Sequence, residues 1–262
     1  MVVRPKKSLG QNFLIDNNII NIITQASDIS NDDVVLEIGP GTGNLTKDIL
    51  INKPKKLIVI EKDSNLSKRL EEKFKNKIKV INDDILKIDE KKLSNEKMII
   101  FGNLPYNISS QILVKWIKLN HLNSFSKKFI LMFQKEVADR IAAKFNEKNY
   151  GRLSILTAWR LDVKKIRDVN PKSFYPVPKV ESTILIMKPK NNFFKLKNPK
   201  NLEYITNVFF NQKRKMIRKP INFLFKNSET IVKKLKLDLK LRPQNLSPEN
   251  YFEICREYEN LL

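Results

Sequence analysis

The chain has 262 residues, 41% of them hydrophobic, and carries 50 Lys and Arg against 28 Asp and Glu, a formal net charge of +22. A single cysteine, Cys255, and a single histidine, His121, exclude an intrachain disulfide, a cysteine-based zinc cluster and His-rich metal sites, so metal-free chemistry is expected. No apolar run reaches membrane-span length, and the start, MVVRPKKSLGQNF, lacks the apolar stretch of a signal peptide. A soluble cytoplasmic protein with no membrane partner is therefore expected. The basic excess points to a polyanion, because neutralising phosphates releases counterions. A coding bias toward Lys, Asn and Ile would also raise the lysine count, but it would not remove acidic residues.

Val34-Val35-Leu36-Glu37-Ile38 predicts a buried strand, followed by a glycine turn and the stretch 44–52. Residues 57–60 form the second strand. Ser64 then reads as an N-cap, with Leu66, Leu70 and Phe74 on one helical face. Residues 78–81, 98–101 and 129–133 are the third, fourth and fifth strands, and 135–145 is a helix after the last of them. Strands alternating with helices imply an α/β fold with a mostly parallel, doubly wound sheet. Segments 154–161 and 180–187 read as strands with no crossover helix between them, hence an antiparallel pair closing the sheet. Near Pro189 the pattern changes. From Asn201 on only helical periodicity remains, punctuated by Pro220, Pro243 and Pro248. This divides the chain into an α/β domain, 1–188, and a small all-helical domain, 189–262, with 16 Lys and Arg against 7 Asp and Glu after residue 188.

Three features fall at three successive strand ends. Glu37-Ile38-Gly39-Pro40-Gly41-Thr42-Gly43 lets the backbone pass close to a ligand where open α/β sheets bind one. Its spacing is G-x-G-x-G rather than the G-x-G-x-x-G of dinucleotide binders. Glu61, ending the second strand, can accept both hydroxyl protons of a ribose. Asp84, after the third, can reach an adenine amine. Singly, the turn is an ordinary turn and each carboxylate a solvated loop residue; together they describe a nucleoside site.

Asn103-Leu104-Pro105-Tyr106 ends the fourth strand. An aryl amine is a weak nucleophile because its lone pair is delocalised into the ring. The Asn103 amide oxygen and the Leu104 carbonyl, aimed at its two N–H bonds, would orient it and stabilise charge as it attacks. Pro105 biases Leu104 away from helical geometry, and Tyr106 offers a face for a base to stack on. The loop 171–178 is either a surface connector or a wall on which Phe174 sandwiches the target adenine against Tyr106. In the tail, Lys213, Arg214, Lys215, Arg218 and Lys219 place five cations in seven residues. Arg214–Arg218 and Lys215–Lys219, spaced i, i+4, would line one side of a helix, either as a solvated face or as a phosphate contact.

Together these residues resemble the small-subunit ribosomal RNA adenine dimethyltransferase family. Lys7-Ser8-Leu9-Gly10-Gln11-Asn12-Phe13-Leu14 is similar to its N-terminal box, and the glycine turn, Glu61, Asp84 and Asn103 to Tyr106 to its cofactor and catalytic motifs. Residues 133–138, 150–154, 174–182, 210–215 and 242–249 are similar as well. The resemblance implies a Rossmann-like class I methyltransferase domain plus a helical RNA-binding domain, using S-adenosyl-L-methionine. It implies that Asn12 and Leu14 line the cofactor site, Gly39 lies at its methionine end, Glu61 binds the ribose, Asp84 the cofactor's adenine, and Asn103 bridges cofactor and target amine. The implied substrate is two adjacent adenines near the 3′ end of small-subunit (16S) rRNA, within a pre-30S particle, with the enzyme a monomer. Reaction is then in-line attack by an adenine drawn out of its stack, with no covalent enzyme intermediate. Gln111 departs from the family, which often has Pro there, and matches the resistance methyltransferases of the large subunit. That alternative target remains open, as does a non-catalytic RNA-binding assembly or transcription factor on the same fold.

Overall fold

The computed structural model describes residues 5, 6 and 9–262, so Lys7 and Ser8 of the N-terminal box lie outside the described residues. The chain opens with β1 (Phe13–Leu14), α1 (Asn17–Ser27), β2 (Val34–Ile38), α2 (Asn44–Ile51), β3 (Lys56–Ile60), α3 (Ser64–Phe74) and β4 (Lys79–Ile81). It continues through β5 (Met98–Asn103), α4 (Ser109–Lys118), α5 (Leu122–Phe125), β6 (Ser126–Gln134) and α6 (Lys135–Ala142). Then come α7 (Arg152–Arg160), β7 (Leu161–Val169), β8 (Phe174–Tyr175) and β9 (Ser182–Pro189), and the helices α8 (Pro199–Phe210), α9 (Arg218–Leu224), α10 (Ser228–Leu235) and α11 (Pro248–Glu259).

Seven strands form one sheet in the order β4-β3-β2-β5-β6-β9-β7. β2 is parallel to both β3 and β5, with Val35 opposite Leu57 on one side and Ile99 on the other. β3–β4 and β5–β6 are parallel too, and β9 runs antiparallel to β6. Helices cover both faces, which is why β2 apart from Glu37 and most of β5 are apolar, with every residue of β2 buried. The chain moves outward from β2 to β4, then returns to the other side of β2 as β5. That reversal opens a crevice beyond the carboxyl ends of β2 and β5, where such sheets bind ligands.

Several elements differ from expectation, each for a physical reason. Segment 154–161 is helix α7, not a strand. Ser154, Ile155, Leu156, Thr157, Trp159 and Arg160 are all buried, so no amphipathic period shows in the sequence. The Gly151 amide donates to the Ser154 hydroxyl at 3.1 Å, one half of a capping box, and the Thr157 hydroxyl donates back to the Leu153 carbonyl at 2.7 Å. The antiparallel closure is made by β9 on β6, and the outer strand β7 begins where the expected one ends. The cap of α3 is Asp63, whose carboxylate accepts the Asn65 amide at 3.0 Å, and Ser64 is the first helical residue.

The basic run also changes character. Residues 211–217 form a turn between α8 and α9 rather than a helix, so Arg214–Arg218 and Lys215–Lys219 do not share a helical face. Pro220 is the cause: it lacks an amide hydrogen and is tolerated only in a helix's first turn, so α9 starts at Arg218.

The chain forms two compact units. The first holds the described residues up to Trp116, with Asn120–Ala138 and Val163–Pro189; the second holds Ile117–Leu119, Asp139–Asp162 and Lys190–Leu262. The cut after Pro189 thus lies beside the expected boundary, but the second unit also draws on residues 139–162. Within it α7, α8 and α11 pack together, with Phe209 edge-on to Tyr251 at 5.2 Å between centroids and the Trp159 indole donating to the Phe194 carbonyl at 2.7 Å. Among the described residues no helix is long and apolar enough to cross a membrane.

Candidate active site

A cleft of about 1120 Å³, partly open to solvent, lies at the crevice in the first unit. Its walls include Asn12, Leu14, Gly39, Glu61, Asp84, Asn103, Leu104 and Tyr106. Residues predicted from four separate strand ends and the N-terminal box are therefore brought to one place.

The glycine turn is shaped by what lies on it. Gly41 has φ +58°, and a Cβ there would stand 2.7 Å from Cδ1 of Phe13. Only a residue without a side chain admits both that conformation and the ring. Phe13 belongs to the strap 9–14, which is tied down on both sides. The Leu14 carbonyl accepts from the Asn44 side chain at 2.8 Å, and Gln11 donates to Asp63 at 3.1 Å. Lys6 also pairs with Asp63, at 2.9 Å.

Glu61 is buried, and its carboxylate accepts the Gly41 amide at 3.1 Å and the Asp63 amide at 2.9 Å, one on each oxygen. A carboxylate has about four acceptor positions, so these amides do not exhaust it and room remains for ribose hydroxyls. Burial pushes its carboxyl above the ordinary glutamate value, against the pull of those amides. Glu37, under the same turn, is fully buried beside it and accepts the Thr46 hydroxyl at 2.7 Å; desolvation pushes it up to about 8. Two neighbouring buried carboxyls thus differ in role by partner: Glu61 is held by backbone amides, Glu37 by one hydroxyl. Asp84 accepts the Leu86 amide at 3.0 Å and pairs with Lys62 at 2.8 Å, and its carboxyl is pulled below the usual range chiefly by the Lys62 ammonium.

At the end of β5 the Asn103 side-chain nitrogen donates to the Asn12 carbonyl at 2.8 Å. That bond assigns the amide's polarity: the nitrogen is committed to the strap, and Oδ1 is the acceptor offered by the tetrapeptide. Tyr106 is half-buried and its hydroxyl is bonded to the Ser182 hydroxyl at 2.7 Å, which holds the ring in place at the start of β9. Leu104 has a buried side chain, so only its backbone could serve a substrate.

Phe174 does not form the wall expected of it. It is 1% exposed, lies in the core with Leu14, Ile19 and Ile184, and does not line the cleft. Its backbone pairs with Leu14, while the next residue, Tyr175, pairs with Phe13 and is 53% exposed. Alternation along the strand sends one of two adjacent rings inward, and here it is Phe174. Sequence reading also missed Asp63 and Ser182. Asp63 carried a signal, since Asp before a helical period is a cap; Ser182, 76 residues from Tyr106, carried none.

The cations Arg214, Lys215, Arg218 and Lys219 are exposed in the second unit, and Lys213 donates to the Lys148 carbonyl at 2.9 Å. Among the described residues no group of His, Cys, Asp and Glu could hold a metal ion.

Known proteins place this architecture. The family described as Ribosomal RNA adenine dimethylase matches residues 2–260. Ribosomal RNA small subunit methyltransferase A of Pelagibacter ubique is 57% identical, covering 100% of this chain and 99% of its own. The protein of the same name from a Wolbachia of Brugia malayi is 41% identical over 95% of this chain and 96% of its own. A dimethyladenosine transferase from Plasmodium falciparum superposes with a TM-score of 0.77 at 29% identity, covering 95% of this chain and 98% of that one. The 23S rRNA methyltransferase ErmE superposes with a TM-score of 0.71 at 22% identity, over 95% and 100%, a likeness of fold alone. The fold is thus the Rossmann-like class I methyltransferase fold with a helical C-terminal part, and the chain belongs to the ribosomal RNA adenine dimethylase family.

Proposed function

We propose that this chain is an S-adenosyl-L-methionine-dependent rRNA (adenine-N6,N6)-dimethyltransferase acting on two adjacent adenines near the 3′ end of small-subunit rRNA. The observation that carries the reading is the fixed polarity of the Asn103 amide, which offers an acceptor where an amine must be oriented. The cleft fits the cofactor: a buried carboxylate with spare acceptor positions, Glu61, is bonded to a glycine turn in which only the Asn103 carbonyl, at 3.9 Å, comes near where a Gly39 side chain would stand. Bound there, S-adenosyl-L-methionine supplies an electrophilic methyl group. Glu61 holds the ribose and Asp84 the adenine, while Asn12, Leu14 and Gly39 close round the rest. Asn103 Oδ1 and the Leu104 carbonyl each accept one N–H of the target amine, and Tyr106 stacks on its ring. Positioning and fixed dipoles do the work, and no side chain becomes covalently attached.

The finer reading is a cytoplasmic monomer acting on a partly assembled small subunit, supported by the match along the whole chain to small-subunit enzymes. Incubating protein and cofactor with ribosomal particles, followed by mass spectrometry of the RNA, tests it. Dimethyladenosine should appear in the small-subunit RNA, with free 30S precursor better than mature subunit. Label confined to large-subunit RNA, or no transfer at all, would overturn the reading.

The second unit is the proposed RNA-docking part, through phosphate contacts of Lys213, Arg214, Lys215, Arg218 and Lys219. An Arg214→Gln, Arg218→Gln variant should bind RNA more weakly with cofactor affinity unchanged. Its slope of log affinity against log salt should be shallower by about 0.7–0.9 for each phosphate no longer neutralised. Titrations giving equal slopes for variant and wild type would assign docking to other cations.

A further inference from the structure

Helix α4 begins three residues after Tyr106, and its Lys115 is directed at the turn that follows β4. The ammonium donates to the Ile85 carbonyl at 2.8 Å, the Ile88 carbonyl at 2.6 Å and Glu90 Oε1 at 2.6 Å. All three of its donors are thereby used on residues 85–90. The adjacent Trp116 indole donates to the same Glu90 oxygen at 2.6 Å. Glu90 is fully buried, and its other oxygen has no partner among the described residues. Lys115 is the cation that balances it.

This grip falls on the wall of the cleft. Asp84 opens the turn, with its Oδ1 accepting the Leu86 amide at 3.0 Å and its carbonyl the Lys87 amide at 2.8 Å. Ile85, whose carbonyl Lys115 holds, is buried and lines the cleft beside Asp84. The Asp84 amide also donates to the Asp83 carboxylate at 2.6 Å, and its carboxylate pairs with Lys62, whose side chain is 55% exposed. A pair that open to water restrains little. The part-buried three-point clamp is the stronger fixture.

We propose that Lys115 is a positioning residue for the cofactor's adenine ring, fixing the turn from which Asp84 and Ile85 meet it. The proposal rests on the reading of Asp84 as the adenine contact. Because α4 follows the Asn103–Tyr106 tetrapeptide directly along the chain, one helix then sets both the target-amine site and the seat of the cofactor's base. A lysine inside an amphipathic helix ordinarily reads as part of a solvated face, so no motif pointed to it.

The test is calorimetry on the full chain with two probes, S-adenosylhomocysteine and its analogue lacking the 6-amino group. Lys115→Met combined with Glu90→Gln removes both charges together and leaves no buried ion unpaired. Wild type should prefer the amine-bearing probe, and the double variant should lose about tenfold or more of that preference, the effect of one charge-assisted hydrogen bond. Affinity for the analogue, which keeps only the Ile85 contact, should fall less than affinity for the amine-bearing probe. Adding Asp84→Ala to the double variant should lower the preference no further. Lys115→Arg, which keeps the charge opposite Glu90 but changes the reach to the carbonyls, should show an intermediate preference and serves if the double variant does not fold. An unchanged preference, or equal weakening of both probes, would reduce Lys115 to a structural tie and overturn the proposal. A preference absent in wild type, or untouched by Asp84→Ala alone, would instead sink the adenine role of Asp84, and the proposal with it.

Discussion

Asn103→Ala is expected to slow methyl transfer by about 10²–10³-fold at saturating cofactor and RNA, with the fold intact. The side chain makes two separable contributions. Its oxygen is the acceptor proposed for the target amine, and losing one preorganised group of this kind costs about 2.7–4 kcal/mol in the transition state. Its nitrogen holds the Asn12 carbonyl at 2.8 Å, so removing it also loosens the strap and should raise the cofactor KM. Saturating conditions cancel the second effect and leave the first. Single-turnover rates measured that way distinguish the roles. A rate equal to wild type, with only the KM raised, would make Asn103 a tether and nothing more.

Glu61→Ala should be the most damaging change for cofactor affinity. Two charge-assisted bonds to ribose hydroxyls disappear, each worth about 1.5–3 kcal/mol. The Gly41 and Asp63 amides, now bonded to its two oxygens, also lose their acceptor. Calorimetry should show binding weaker by two orders of magnitude or more, since about 1.4 kcal/mol is tenfold; unchanged affinity would refute the ribose role. The pH dependence has a definite sign. Burial raises the Glu61 carboxyl, and the ionised form is the one that accepts both hydroxyls. Affinity should be full above that raised value and fall as pH drops through it, earlier than an ordinary glutamate would allow. Glu61→Gln should bind weakly at every pH, with that dependence flattened.

How much could be read from the chain depended on whether the signal was local. The five parallel or central strands were legible because each carries a short apolar run, buried throughout in β2 and half-buried in the edge strand β4. The walls of the cleft were legible because the switch in strand order puts ligands at strand ends; Gly39, Glu61 and Asp84 each follow a strand and Asn103 ends one. Helix α7 was not, since burial nearly all round erases the 3.6-residue period that identifies a helix. Strand β7 was missed for the opposite reason. It is the edge of the sheet, and its Lys-Lys-Ile-Arg-Asp centre is mostly exposed, the charged composition that keeps edges from pairing with other chains. Phe174 and Tyr175 could not be told apart, because which of two adjacent rings faces inward follows from pairing with Phe13 and Leu14. The contacts that orient the site, Asn12 with Asn103 and Tyr106 with Ser182, span 91 and 76 residues. Only the folded chain brings them together.

The second unit is discontinuous in sequence, and this has a consequence for how the chain is made. Helix α7 is synthesised well before its partners α8 and α11. At about 5–20 residues per second, the nascent chain waits on the order of seconds before α11 leaves the ribosome. During that interval Ile155, Leu156 and Trp159, all buried in the finished protein, lack the part of their cover that α11 supplies. The last dozen residues of the helical part therefore act as its closing piece. A chain stopped short of Pro248 keeps α8 against α7 but lacks the third helix of the cluster.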